Sequence, residues 1–237
     1  MRPDPSAIAK RLCTWAVTLS TLVTPLPCGA EIDLAELTRE TQRQSQQEDV
    51  TQVVQWIPAD VWDVAMRQQG TPETVRAARV AAITPYVVFL VGEVRIGPAG
   101  GIGYATAAEL AKRTRLSLGE KMSRREPTPL SNLPEAVRDF VDSIVPAASD
   151  AANFQLHALV FDGLGERGAP LTDPRKPGRL TLAVGERRYT WRLPLGALLP
   201  EKSCPVDGEV FPGSYGFCPF HGDRLIDRDP KADAREP

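Results

Sequence analysis

Leu180-Thr-Leu182-Ala-Val184-Gly185-Glu186-Arg-Arg188-Tyr189-Thr-Trp191-Arg-Leu193 is the stretch whose reading decides the fold. Apolar residues alternate up to a two-residue turn with glycine first, then alternate away from it. Such a turn pairs Leu182 with Tyr189 and Leu180 with Trp191 on one face of a β-hairpin. The other face carries Arg188, Thr190 and Arg192 and is expected to meet water. Pro194 ends the second strand.

Working back from the hairpin, Phe154 to Phe161 predicts a strand with Phe154, Leu156, Ala158 and Val160 on one face. Tyr86 to Val91 is an unbroken β-branched and aromatic run. It reads as a buried central strand that emerges toward water through Glu93, Val94, Arg95 and Ile96. Thr51 to Ile57 predicts another strand, stopped by Pro58. Helical patterns fall between these. Ala59 to Gln69 brings Val61, Trp62, Ala65 and Met66 together. Thr71-Pro72-Glu73 supplies an N-cap, a first-position proline and an acid for a helix running to Ile83. Leu133 to Val145 carries the stripe Leu133, Val137, Phe140, Val141 and Ile144. Strands and helices mix without a regular βαβ beat, so the class is α+β: an antiparallel or mixed sheet covered on one face by helices.

The ends set the domain plan. Met1 to Ala30 has the pattern of a secretory signal: Arg2, Lys10 and Arg11, then uncharged Leu12 to Leu26, then small residues at Cys28-Gly29-Ala30. The apolar stretch is short for a membrane span. Cleavage after Ala30 leaves 207 residues and takes the formal charge from −2 to −4, with 25 basic and 29 acidic residues. Residues 31–50 read as a polar helix or linker, 51–200 as the α+β domain, 201–226 as a separate clip and 227–237 as a disordered tail. A mildly acidic chain gives no electrostatic reason to expect nucleic acid. No second long apolar run occurs, so no integral membrane segment is expected after cleavage.

The clip holds the one passage with a chemical rhythm: Cys204-Pro-Val-Asp207-Gly208 and Cys218-Pro-Phe-His221-Gly222, fourteen residues apart. Each turn offers a thiolate and a second ligand three positions on, so Cys204, Asp207, Cys218 and His221 can grip one cation. Cys204 and Cys218 are also the only cysteines beyond residue 30. In an oxidising compartment they can form a disulfide, closing a loop whose cross-link contributes roughly 3 kcal/mol. A reduced pair held by its turns alone is the third reading.

From Cys204 to Arg224 the passage resembles a short zinc ribbon, in which Cys-Pro-x-Cys-Gly knuckles repeat with an aromatic before the third cysteine. Cys204, Pro205 and Gly208 match the first knuckle, and Phe217, Cys218, Pro219 and Gly222 the second. Asp207 and His221 stand where the second and fourth cysteines would be. The resemblance implies a folded knuckle pair, with zinc as the cofactor if one is held. Histidine keeps a good zinc ligand there, and aspartate gives a harder, weaker one.

Other motifs invite function and have plainer readings. Gly97-Pro-Ala-Gly100-Gly101-Ile-Gly103 follows a strand, as a phosphate-binding loop would, but lacks the following lysine and third glycine. A chain reversal without nucleotide is expected. Lys112, Arg113, Arg115, Lys121, Arg124 and Arg125 put six cations in fourteen residues, a solvated segment or a seat for an anionic partner. His157 sits on a strand without a recognisable nucleophile motif nearby. Gly163 to Gly178 is a loop long enough to be a binding surface. These readings lead to an exported bacterial protein, periplasmic or secreted and non-enzymatic. It would bind or assemble with an envelope protein or an anionic polymer. A periplasmic metal-handling protein is the alternative, and a hydrolase with an unrecognised site the second.

Overall fold

The computed structural model describes residues 32–118 and 123–228. The expected signal, the tail beyond Arg228 and Lys121 therefore lie outside the described residues. The class is α+β, with every strand pairing antiparallel.

The apolar run forms β3 (Tyr86–Ile96), the organising strand. On one edge it pairs with β2 (Val50–Ile57), which sets Trp56 opposite Phe89 and Val54 opposite Val91. Its other edge is shared end to end by β7 (His157–Asp162) and β4 (Ile102–Tyr104). β1 (Gln42–Gln47) adds to the far side of β2.

A second sheet runs in the order β6, β5, β8, β9. Its strands are β5 (Thr114–Leu118), β6 (Ser123–Arg125), β8 (Gly178–Val184) and β9 (Arg187–Leu193). β8 and β9 are the expected hairpin: Leu182 pairs with Tyr189, Leu180 with Trp191, and Gly185 takes the left-handed φ of 62° that a glycine-first turn needs.

The inner faces of the two sheets meet in one core. Trp191 packs against Phe89 and Trp56, with ring centroids 5.3 and 6.5 Å apart, and Leu116, Leu118, Leu180 and Leu182 fill the space around them. Helices cover the other face of the first sheet. They are α2 (Ala59–Gln68), α3 (Glu73–Ile83) and α5 (Glu135–Ala152), whose Ile83, Val137, Phe140 and Val141 bury Val88 and Val160. The second sheet's outer face is left to solvent, with Arg188, Thr190 and Arg192 exposed as the alternation requires.

Several elements depart from expectation. Of the helix and linker readings of the polar stretch before residue 50, the helix is present as α1 (Leu34–Thr41), capped by the Asp33 carboxylate, and the strand β1 that follows it was not expected. β1 has no apolar alternation to read, because backbone pairing with β2 makes it a strand. The cationic segment hides β5, whose Thr114, Leu116 and Leu118 point inward and alternate with outward Arg115 and Ser117. α3 starts at Glu73 with Pro72 at the N-cap, so Thr71 does not cap it. In α2 the fully buried side chains are Val64 and Met66, with Val61, Trp62 and Ala65 half-buried. α5 runs through Pro146 and stops at Asn153, which takes the left-handed conformation. Pro146 lies on the exposed side, where solvent reaches the carbonyl it leaves unbonded. Phe154 and Leu156 precede β7 and pack instead with Leu90.

A third, small sheet closes the chain. β10 (Lys202–Ser203) pairs with both β11 (Val210–Phe211) and β12 (Ile226–Asp227), so ordered structure continues past residue 227. Cys204, Cys218, Phe211 and Leu225 form its own core, separate from the main one.

Candidate metal centre

Each Cys-Pro turn is built the same way. Gly208 donates to the Cys204 carbonyl and Gly222 to the Cys218 carbonyl, both at 2.9 Å, and both glycines take a φ of 75° that closes the turn. The cysteine amides donate across the loop ends, Cys204 to Glu209 and Cys218 to Asp223. Inside the turns the amide of Val206 points at the Cys204 sulfur and that of His221 at the Cys218 sulfur, each at 3.4 Å. N–H groups aimed at sulfur favour the thiolate form that a metal requires.

The turns face each other. His221 Nδ1 lies 3.4 Å from the Cys204 sulfur and 3.4 Å from the Cys218 sulfur. All three ligand atoms fall within 4.8 Å of one another, and both cysteines are unbridged and buried. A tetrahedral zinc bonded at about 2.3 Å to sulfur and about 2.0–2.1 Å to nitrogen holds those atoms roughly 3.5 Å apart. The residues present therefore fit such an ion. Asp207 falls outside that group of three: its Oδ2 lies 3.7 Å from His221 Nδ1, while its Oδ1 accepts from the Glu209 amide.

The electrostatics follow from these contacts. The Cys218 sulfur beside it, then the Asp207 carboxylate, raise the His221 pKa. The Glu209 amide and the Cys204 side chain hold Asp207 below its usual range. Burial pushes the Cys204 thiol up. Burial pushes Cys218 up too, but the amides of His221 and Phe220 with the His221 ring and Cys204 outweigh it, leaving this thiol below its ordinary value.

The other motifs resolve into structure. Gly97 donates to the Gly101 carbonyl and Gly100 to that of Gly97, so these amides are spent closing the β3–β4 reversal. His157 Nε2 lies 3.1 Å from the Ala105 carbonyl, which occupies that ring nitrogen. The cationic run is dispersed: Arg113 pairs with Glu93, Arg115 with Glu126, and Arg125 turns inward to the Leu164 carbonyl. Lys112 and Arg124 are exposed. The Gly163–Gly178 loop helps line a cavity of about 340 Å³ beside Trp56, Asp60, Asp63 and Thr172.

One charged residue read from sequence as surface is buried. Glu93, only 1% exposed, accepts from Gln52 Nε2 at 2.5 Å and Arg95 Nε at 2.6 Å, with Arg113 Nη2 2.8 Å away as an ion pair. The Tyr189 hydroxyl donates to Gln52 and meets Ser45, so the network ties both sheets together. Burial pushes Glu93 up, but Arg113, Gln52 and Arg95 together hold it below the usual carboxylate range. The helix α4 (Ala107–Arg113), started by a Thr106/Glu109 capping box, is what aims Arg113 inward. A carboxylate so fully paired acts as a latch and has little freedom for proton transfer.

No protein-family model, curated protein or solved structure matches this chain, so the site is read from its own geometry.

Proposed function

We propose that Cys204, Cys218 and His221, with Asp207 in the fourth position, hold a structural zinc ion, and that the chain is a non-enzymatic binding or assembly module. The observation that carries this is the imidazole of His221, turned inward with Nδ1 equidistant from both sulfurs. A disulfide has no use for that orientation. Two N–H···S turns of zinc-ribbon type support the same reading. Zinc here would join two turns whose own core is only four side chains, too few to order a segment of this length alone. Four protein ligands saturate the ion and leave no position for substrate. The charged start and short apolar stretch of residues 1–30 support export, with the envelope as the place of action.

The test is metal content and intact mass of the purified chain. One equivalent of zinc is expected, lost on His221→Ala. A mass about 2 Da lower before reduction than after, insensitive to chelator, refutes the metal and makes the clip a disulfide. The partial exposure of Asp207 and His221 favours a second reading, in which the ion exchanges. Transfer of zinc to a competing chelator within seconds would select it.

A further inference from the structure

The second sheet buries one face and turns the other to solvent, and the solvent face is basic. Register places Arg179 directly opposite Arg192, Thr181 opposite Thr190, and Arg188 beside Ala183. β5 and β6 continue the rows with Ser117 opposite Thr181 and Arg124 opposite Ser117. No outward position of the four strands carries a carboxylate. Among the described residues Arg124, Arg179, Arg188 and Arg192 have no ion-pair partner, and Arg115 has Glu126 at the rim. This concentration occurs in a chain whose net charge is −2.

Like charges directly opposite on neighbouring strands destabilise a sheet. The Arg179–Arg192 pair sits at the edge of a depression of about 560 Å³, which Arg43 and Thr190 also line. Arg43 is held there over the Trp191 ring, 5.5 Å from its centroid. Glu40, the one acid in the wall, is engaged by the amides of Gly196 and Ala197. A guanidinium cluster beside an open depression takes an anion bidentately.

We infer that this face binds an acidic polysaccharide. Arg188 and Arg192 are two strand steps either side of Thr190, which spaces successive positions by about 7 Å and suits a chain of separated charges. Between the arginines lie only short hydroxyls and alanine, with Thr181 and Thr190 in mutual contact at 3.1 Å. Hydroxyls of this kind can exchange hydrogen bonds with sugar hydroxyls. The face offers no aromatic platform for bases, which single-stranded nucleic acid wants. It offers no apolar side chain larger than Ala183 to enter a bilayer. The inference deepens the binding-module reading and rests on it, but lies on a different sheet from the clip.

Heparin, a sulfated polysaccharide rich in uronate, is the probe. Titration of the full chain should give saturable binding that weakens at least about tenfold between 50 and 200 mM salt. Arg188→Glu/Arg192→Glu should lose at least about tenfold in affinity, while Arg79→Glu on α3 stays within about twofold. Arg192→Glu also sets a carboxylate opposite Arg179, so the melting temperature should hold or rise, separating lost binding from lost folding. Absence of saturable binding, or equal loss in Arg79→Glu, overturns the inference. So does tighter binding of oligo-dT than of heparin, or binding of phosphatidylglycerol vesicles alone. Chelator should leave heparin binding intact. Lost heparin binding with zinc retained defeats this inference alone, and lost zinc with heparin binding retained defeats only the metal reading.

Discussion

Trp191 is the side chain on which the two sheets turn, and its removal has a magnitude that can be worked out. It is fully buried, touches Phe89 and Trp56 across the sheet interface, and donates from Nε1 to the Thr41 carbonyl at 2.9 Å. Trp191→Ala removes the packing, at about 3–5 kcal/mol. It also orphans a buried carbonyl, at about 1–3 kcal/mol. Some relaxation offsets the sum, so about 5 kcal/mol is expected. Trp191→Phe keeps most of the ring and loses the donor, and should cost about 2 kcal/mol. Urea denaturation followed by far-UV circular dichroism measures both without relying on the removed fluorophore. With m near 2 kcal/mol/M, the alanine variant should lose about 2.5 M in midpoint and the phenylalanine variant about 1 M. A loss below about 1 kcal/mol for Trp191→Ala would mean that the sheets do not pack as described. Equal losses for the two variants would mean that the hydrogen bond, and not packing, holds the interface.

Glu93→Gln should destabilise by about 3 kcal/mol at pH 7, at the low end for a broken buried pair because Arg95 and Arg113 keep partial access to water. Since Glu93 titrates lower when folded than when unfolded, its contribution is full above about pH 4.3 and is lost as pH falls through the folded value. The melting temperature of Glu93→Gln should therefore change less below pH 4.3 than that of the parent chain, and parallel pH profiles would refute the latch. A Cβ at Gly92 would lie 2.5 Å from both the Gln155 carbonyl and the Phe154 ring, so Gly92→Ala should cost about 3 kcal/mol in the same urea assay, and unchanged stability would refute that close approach. Cys204→Ser/Cys218→Ser should open residues 201–228 to protease and leave the main urea transition in place, because the clip's core is separate; a lowered main transition would show the two are coupled.

The hairpin was legible because two independent signals, the glycine-first turn and the alternation, agree on one register. The class and the central strand followed from the same kind of pattern. β1 was not legible, since Gln42 to Gln47 contributes backbone hydrogen bonds and almost no buried surface. β5 was masked because its inward threonine and leucines sit inside a cationic run, beside Arg115 and Ser117 whose outward direction only the partner strand fixes. The knuckle spacing picked out Cys204, Asp207, Cys218 and His221 as a set. That His221 meets both sulfurs depends on two turns coming face to face, which spacing does not encode. Glu93 was read as emerging toward water, and its burial depends on partners that the local pattern does not show: Gln52 from the neighbouring strand and Arg113, delivered by a helix twenty residues on.

The ties between the start and the end of the fold have a consequence for the order in which it forms. Thr41 receives Trp191, Glu40 receives Gly196 and Ala197, and Ser45 and Gln52 meet Tyr189. These elements are thus completed by partners some 150 residues further along, and contacts of such long sequence separation slow folding. Until β9 has formed, the apolar face of β2 and β3 lacks Trp191, the ring that packs on Trp56 and Phe89. A chain of this design carries that face exposed until the distant hairpin docks, which makes it a natural client for a holding chaperone.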